Sequence, residues 1–270
     1  LMLCEVGGPE SLKNFNDLFL DSQYSSYLVE GNSDRHIDIG YLVKKNLNFY
    51  CDLQSNKNHQ INFMYPHEKE SVQKGFPIKM TSNRLSRDVA ELHCFVKDRD
   101  NPFMIILLAH LKSRLDPDKV DPGGTERRAA ELKALIEIYK EHVNRHPQIP
   151  IFVAGDLNGQ AHRQATDEEF KELYTTTDLE DVLEIDQVKY EDRATFYQIR
   201  NGGKTEGKQI DYCFVSQQFK SLIKPGSAQV YRYKDEFGFA LPIPTNLDGK
   251  FSLPSDHYLL SFEIENLKIN

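Results

Sequence analysis

Short apolar runs that end in polar residues recur along the chain and predict many β-strands. These runs are rich in β-branched or aromatic residues, and Asn, Asp, Gly and Pro separate them, as is typical of strands joined by turns. Residues 46–80 are polar and irregular, so we expect loops there with one or two short strands. The predicted strands span residues 1–6, 26–29, 37–43, 88–96, 103–111, 194–199, 209–215, 228–233 and 257–264, with a further buried strand starting at 151.

Two segments have the periodicity of amphipathic helices. Residues 9–20 place apolar side chains on one face. In the second segment Thr125 is the predicted cap, and apolar residues recur every three or four positions to about His146, where Pro147 ends the helix. Many strands with two principal helices predict two β-sheets packed together and covered by helices.

Length and composition predict one large domain over residues 1–270. The longest apolar stretch is far shorter than the roughly 20 residues that a membrane span needs, so we expect a soluble protein, and a monomer. The four cysteines have neither metal-binding nor CxxC spacing, which predicts free thiols and favours a reducing, cytoplasmic location. The chain begins within a predicted strand, and a removed leader before Leu1 is compatible with that start.

The formal net charge of −8 disfavours broad electrostatic adhesion to nucleic acid, which comes from many Lys and Arg side chains that face phosphates. It does not exclude a phosphate substrate. A metal site needs several carboxylates, and the charge around a site can differ from the total.

Polar residues end several of the predicted strands. Glu5 follows the apolar run 1–4, and His110 follows the run 104–109. Each of them alone is compatible with a structural role. Their repetition at strand ends is not predicted by core packing, and it favours a functional site at one edge of a sheet.

The tetrapeptide Gly155-Asp156-Leu157-Asn158 follows a predicted buried strand. In an extended backbone Asp156 and Asn158 point to the same side, where a carboxylate and an amide can hold one water molecule. Asp156 would accept the proton of that water and Asn158 would orient it. The alternative is a solvent-exposed turn, because Gly, Asp and Asn are common in turns.

Two further acidic positions need partners. Asp211 lies inside an otherwise apolar strand, where an unpaired carboxylate is costly, and a histidine is a natural partner. Asp256 and His257 are adjacent on a predicted strand and therefore face opposite ways. We expect them to serve different groups, a metal or water for one and a phosphate oxygen for the other.

Six motifs in this order resemble those of the endonuclease/exonuclease/phosphatase family, the superfamily of deoxyribonuclease I. The resemblance covers nearly the whole chain and implies a four-layered α/β/β/α sandwich of two mainly antiparallel β-sheets flanked by helices. It also implies metal-dependent cleavage of phosphate esters. The motifs are Leu3-Cys4-Glu5-Val6, Ser86-Arg87-Asp88-Val89, His110-Leu111-Lys112-Ser113, Gly155-Asp156-Leu157-Asn158, Ile210-Asp211-Tyr212 and Ser255-Asp256-His257.

The resemblance assigns metal and water contacts to four of these residues. Glu5 resembles the main metal-binding carboxylate, and Asp256 would lie close to the same metal. Asp156 and Asn158 resemble the pair that positions or activates the attacking water. Hard oxygen ligands such as these carboxylates suit Mg²⁺ or Mn²⁺ rather than zinc.

The resemblance assigns phosphate contacts to two histidines and supporting roles to three other residues. His257 resembles the histidine that contacts the scissile phosphate, with Asp211 as its hydrogen-bonded partner. His110 resembles a second phosphate-contacting group, and Asp88 after Arg87 is expected to orient it. Imidazole donors and a divalent cation would neutralise the charge that develops in the transition state.

The chain also departs from the family pattern. We expect it to lack the asparagine-bearing strand that precedes the metal glutamate in the family. His36 stands where relatives often have glycine, and a structural role is favoured for it. There is no tryptophan, although apurinic-site endonucleases of the family commonly have one near the last motif, so base-excision repair is disfavoured.

The sequence therefore predicts a phosphodiesterase that depends on a divalent metal, with nucleic acid as the leading substrate class. One alternative is a phosphomonoesterase or a lipid phosphodiesterase, acting on inositol phosphates or sphingomyelin. The other is a relative that binds a partner without catalysis. Tyr231, Tyr233, Phe237 and Phe239 belong to a variable stretch expected beside the cleft, where they would stack on a base, face a lipid or simply pack the loop.

Overall fold

The computed structural model describes residues 1–164, 166–200, 202 and 204–269. Its strands are β1 (Met2–Val6), β2 (Tyr24–Leu28), β3 (Asp38–Lys44), β4 (Tyr50–Ser55), β5 (Val89–Phe95), β6 (Met104–His110), β7 (Ile151–Asp156), β8 (Leu179–Asp181), β9 (Phe196–Ile199), β10 (Thr205–Lys208), β11 (Asp211–Ser216), β12 (Gln229–Val230) and β13 (Leu260–Ser261). Its α-helices are α1 (Pro9–Phe19), α2 (Pro66–Gln73), α3 (Thr125–Arg145), α4 (Lys171–Thr176), α5 (Val182–Ile185) and α6 (Leu247–Phe251).

A six-stranded sheet in the order β4-β5-β6-β7-β11-β8 forms the centre of the molecule. β6 and β7 pair in parallel, whereas the other neighbours in this sheet are antiparallel. A parallel pair needs a crossover, and α3 lies in the connection between β6 and β7. Both strands therefore end at the same edge of the sheet.

Apolar side chains cover both faces of the six-stranded sheet. On one face, β5, β6 and β7 pack against α3 in a core that includes Leu107, Leu135 and Val153. On the other face, the three-stranded sheet β1-β3-β2 adds Ile39 and Tyr41 to a second core. The two faces follow from the strict alternation of side chains along each strand.

The second sheet is fastened to the first by hydrogen bonds as well as by apolar contact. The buried hydroxyl of Tyr41 donates to the carbonyl oxygens of Ala90 and Ile106, each at 2.9 Å. α1 covers the outer side of the second sheet and buries Leu12 there. The layers are thus helix, sheet, sheet and helix, which confirms the predicted four-layered fold.

Two helices differ from the sequence-based expectation. α2 lies within residues 46–80, which we expected to be loops with one or two short strands. None of its residues is buried, so it has no apolar face to reveal it, and the Glu68 carboxylate accepts the Tyr65 N–H at its start at 3.0 Å. α3 is capped by Asp121 rather than Thr125, since the Asp121 carboxylate accepts the N–H groups of Glu126 and Arg127.

The last two predicted strands are much shorter than their apolar runs. β12 and β13 pair over only two residues each, although 228–233 and 257–264 were expected to be extended. The four cysteines are free, as predicted, and Cys51, Cys94 and Cys213 are buried. Across the described residues, no helix has the length and apolar character needed to cross a membrane.

Candidate active site

Strand register brings three of the predicted site residues together. His110 ends β6 directly opposite Asp156, which ends β7. Asp211 begins β11 and pairs with Asp156 from the other side. Side chains of directly paired residues lie on the same face of a sheet, so an imidazole and two carboxylates form one row at this edge.

His257 reaches this row from the segment before β13. Its Nδ1 lies 2.9 Å from Oδ2 of Asp211, so the predicted contact between Asp211 and a histidine is present. The ring packs beside Phe196 with centroids 5.3 Å apart, and the His257 N–H donates to the Ser255 hydroxyl. Candidate ligand atoms of Asp156, Asp211 and His257 all lie within 4.8 Å of one another.

Asn158 holds the carboxylate of Asp156 from two sides. Its backbone N–H donates to Asp156 Oδ1 at 2.7 Å, and its Nδ2 donates to Asp156 Oδ2 at 3.2 Å and to the Leu111 carbonyl at 3.1 Å. The pair meets as expected, but through a turn rather than extended alternation, because Asn158 has a left-handed φ of 54°. The amide therefore orients Asp156 directly.

Gly155 allows the close approach of β7 to β6 at the site. Its φ is 133°, and a Cβ there would lie 1.8 Å from the Ala109 carbonyl oxygen. A side chain at this position would push the strands apart next to His110 and Asp156.

His110 is buried, and its Nε2 lies 3.6 Å from Asp156 Oδ2. Arg87 is also buried and donates to the Leu111 carbonyl at 3.1 Å, which places its charge beside the site. Among the described residues, no hydrogen bond joins Asp88 to His110. Asp88 instead accepts from the Ser55 hydroxyl at 2.6 Å, while its Oδ1 and His110 Nδ1 are buried and have no hydrogen-bond partner within the described part of the chain.

The protein environment shifts the pKa values of Asp156, His110 and His257 in different directions. Burial, and after it the charge of Asp211, raises the pKa of Asp156 to about 7. Burial lowers the pKa of His110 to about 2, with a smaller contribution from Arg87. Burial acts in the same direction on His257, but the hydrogen bond and charge of Asp211 outweigh it and raise the pKa of His257 to about 9. At pH 7 the site therefore contains a protonated His257 and a neutral His110.

Two exposed carboxylates complete the rim of the cleft. Glu5 and Asp256 line the same cleft of about 300 Å³ as Asp156, Asp211 and His257. Glu5 has a left-handed φ of 58° at a bulge in β1, a costly conformation that re-aims a side chain and is common at functional sites. These oxygen donors beside open solvent fit a hydrated Mg²⁺ or Mn²⁺.

Lys250 is a site neighbour that the sequence did not indicate. Its Nζ lies 3.2 Å from Asp256 Oδ2 and 3.8 Å from the centroid of the Phe196 ring. Tyr233 was considered for base stacking, lipid contact or loop packing, and its hydroxyl also donates to the His257 carbonyl at 2.7 Å. Neither contact has a signal in the sequence, because both depend on the irregular path of residues 231–256.

The fold and this site define a class of protein: a two-sheet α/β sandwich with carboxylates and imidazoles gathered at the strand ends. No protein-family model and no curated protein sequence matches the chain, so the likeness to known proteins lies in structure. D. rerio TDP2 complexed with a single-strand DNA product is 14% identical, with a TM-score of 0.59 over 98% of this chain and 85% of that chain.

Two other solved structures share the architecture. The human Nocturnin catalytic domain with a bound sulfate anion is 16% identical, with a TM-score of 0.58 over 97% of this chain and 80% of that one. A mannosyl-6-phosphatase of Bacteroides thetaiotaomicron is 18% identical, with a TM-score of 0.54 over 94% and 81%. The chain spans 63% of a TDP2 structure from Caenorhabditis elegans, which is 14% identical with a TM-score of 0.56.

The chain has a deoxyribonuclease I-like fold, which it shares with TDP2, Nocturnin and an endonuclease/exonuclease/phosphatase family protein from Bacteroides thetaiotaomicron. The resemblance predicted from six short motifs is therefore confirmed by the structure at the level of the fold.

Proposed function

We propose that this chain is a divalent-metal-dependent phosphodiesterase that cleaves single-stranded nucleic acid. The observation that carries the hydrolase proposal is the convergence of Asp156, Asp211 and His257 within 4.8 Å, in a cleft rimmed by Glu5 and Asp256. These five residues come from four distant parts of the chain, and a partner-binding surface has no need to gather them.

The protein groups have complementary roles in this proposal. Asp156, with a pKa near 7, accepts a proton from the attacking water, and Asn158 fixes the direction of its oxygens. His257, protonated at neutral pH and held by Asp211, donates to a phosphate oxygen. His110 contributes a neutral N–H donor on the other side of Asp156.

Glu5 and Asp256 would hold Mg²⁺ or Mn²⁺ at the rim of the cleft. The bound ion would supply positive charge that stabilises the phosphate oxygens as negative charge develops on them. Lys250 already pairs with Asp256 and adds a fixed positive charge at the same rim.

Aromatic side chains beside the cleft support a nucleic-acid substrate. Phe237 and Phe239 are 77% and 71% exposed. The segment that carries them is held to the site by the hydrogen bond from the Tyr233 hydroxyl to the His257 carbonyl. Exposed aromatic rings suit the stacking of unpaired bases, which duplex DNA does not offer. The DNA product bound to D. rerio TDP2 is consistent with this substrate class.

The activity is tested with metal-stripped protein and labelled single-stranded DNA or RNA, with Mg²⁺ or Mn²⁺ added back. His257→Gln is expected to lower kcat/KM by about 100-fold or more. His67→Gln, a change at an exposed histidine on α2, is the matched control and should leave the rate unchanged. Equal rates in wild type and His257→Gln would reject the proposed role of the site.

The substrate class is tested separately from the chemistry. Phe237→Ala with Phe239→Ala is expected to raise KM for a single-stranded oligonucleotide by about 10-fold. The same variant should hydrolyse bis(p-nitrophenyl) phosphate at the wild-type rate, since this small diester carries no flanking bases to stack on the two rings. Equal oligonucleotide KM values would remove the argument for stacking.

A phosphomonoesterase is the second candidate, because the cleft of about 300 Å³ suits a small phosphate ester and a mannosyl-6-phosphatase shares the fold. Sugar phosphates, inositol phosphates and sphingomyelin therefore belong in the same screen. Faster turnover of any of these than of oligonucleotides would replace the nucleic-acid proposal.

A further inference from the structure

A second cluster of metal-ligating side chains lies between β5 and α3. Glu91 and His93 alternate on β5 and so point to the same face, toward α3. His142, near the carboxyl end of α3, meets them there. All three residues are more than nine-tenths buried, at 5%, 6% and 6% exposure.

Both imidazoles point their Nε2 atoms at the same carboxylate oxygen of Glu91. His93 Nε2 lies 2.8 Å and His142 Nε2 lies 2.9 Å from one oxygen, Oε2 of Glu91. The three candidate donor atoms lie within 4.8 Å of one another. Ligands around a tetrahedral zinc ion are about 3.3–3.5 Å apart, so shifts of about half an ångström would open room for the ion.

The surroundings of the cluster resemble the outer contacts of a metal site. The second oxygen of Glu91 accepts from Asn56 Nδ2 at 2.7 Å, which fixes the orientation of the carboxylate. His142 Nδ1 is buried with no hydrogen-bond partner among the described residues. A ring held only through Nε2 can move its proton to Nδ1 and present the Nε2 lone pair to a cation.

We propose that Glu91, His93 and His142 form a zinc-type metal site that joins α3 to β5. Two imidazoles and one carboxylate are a donor set typical of Zn²⁺, whereas Mg²⁺ favours oxygen donors. Metal binding requires each ring to present an unprotonated Nε2 to the ion. The fourth position is open to water or to His146, one helical turn beyond His142.

This site is separate from the candidate active site. His93 pairs with Ile105 on β6, five residues before His110, which is about 16 Å along the strand. The two sites also lie on opposite faces of the sheet, because Glu91 and His93 face α3 and His110 faces the second sheet. The proposed role is therefore structural, and the inference does not rest on the proposed hydrolase activity.

The test uses Co²⁺ and Zn²⁺ with the full chain after metal removal. To exclude the catalytic cleft, binding is measured in an Asp211→Asn, His257→Gln background. We expect one Co²⁺ per chain with the intense visible absorption of low-coordinate cobalt, displaced by Zn²⁺, and a raised Tm. No such absorption and no Tm shift in this background would overturn the proposal.

Single substitutions then assign the ligands. His93→Gln and His142→Gln, each in that background, are expected to raise the Zn²⁺ Kd by more than about 100-fold, since even outer contacts of metal sites contribute 10–100-fold. His67→Gln is the matched control, with unchanged affinity. Unchanged Kd values in both cluster variants would show that the three side chains form only a hydrogen-bonded group. If either variant fails to fold, the presence or absence of cobalt absorption in the Asp211→Asn, His257→Gln protein tests the proposal.

Discussion

The charge of His257 depends on one hydrogen bond, and Asp211→Asn tests that dependence. The substitution keeps the shape of the side chain but removes the negative charge 2.9 Å from His257 Nδ1. Unit charges about 3 Å apart interact by about 5 kcal/mol at an effective dielectric constant of 20. The side chains are 30% and 23% exposed, so solvent reduces this to about 3 kcal/mol, or about 2 pK units.

The expected pKa of His257 in Asp211→Asn is therefore near or below 7, compared with about 9 in the wild type. The measurement is an NMR titration of the histidine ring signals in metal-free protein between pH 5 and 10. His257→Gln identifies the signal of interest, and Asp98→Asn, an exposed acidic position, is the matched control. A midpoint within about half a unit of wild type would refute the reasoning.

Linkage gives the same pair a stability effect of definite sign. The folded-state pKa of His257 lies above its usual value of 6.5, so the ion pair stabilises the metal-free fold fully below pH 6.5. That contribution is lost as the pH rises through about 9. Asp211→Asn is thus expected to lower the free energy of unfolding by about 3 kcal/mol at pH 6 and by much less at pH 10.

Three other substitutions test the fold and the metal. Burial raises the pKa of Asp181 to about 7, so ionisation of this carboxyl group destabilises the fold as the pH rises from 4 to 8. Asp181→Asn should therefore raise the free energy of unfolding by up to about 4 kcal/mol at pH 8, but not at pH 4. Urea titrations at the two pH values measure this difference. Gln209 Oε1 has no hydrogen-bond partner among the described residues, and a rotation of the Gln209 amide, whose Nε2 now donates to Asp181, would let Oε1 accept from the new side chain. Gly155→Ala should cost more than about 3 kcal/mol in the same assay, because its Cβ meets the backbone of Ala109. Glu5→Gln should raise the Mg²⁺ concentration for half-maximal activity by about 10-fold.

Local pattern was sufficient to place polar groups at the ends of β6 and β7. Alternation and apolar runs located both strands, and a parallel pair brings both carboxyl ends to the same edge. The pattern could not reveal that His110 stands directly opposite Asp156, or that β11 aligns Asp211 with the same residue. Register is fixed by packing between distant segments, and no local signal encodes it.

The sequence-based expectations that differ from the structure have specific causes. α2 was missed because a helix with no buried residue has no apolar periodicity. The cap of α3 was assigned to Thr125 because it stands at the helix start, whereas Asp121 reaches the free N–H groups of residues that follow it by five and six positions. The orienting role expected for Asp88 was inferred from the family order and stays a prediction; one of its oxygens accepts from the Ser55 hydroxyl, and the other has no partner among the described residues.

The cluster of Glu91, His93 and His142 could not be predicted from the sequence. Glu91 and His93 alternate with Ala90, Leu92 and Cys94, and this pattern is typical of an ordinary strand with one polar face. That face is buried under α3, and only the arrival of His142 from 51 residues away turns it into a set of convergent donors. The two faces of one sheet therefore acquire different chemistry. Oxygen donors at an open rim suit a hydrated, exchangeable cation, whereas imidazoles in a closed core suit an ion that stays bound and stabilises the fold.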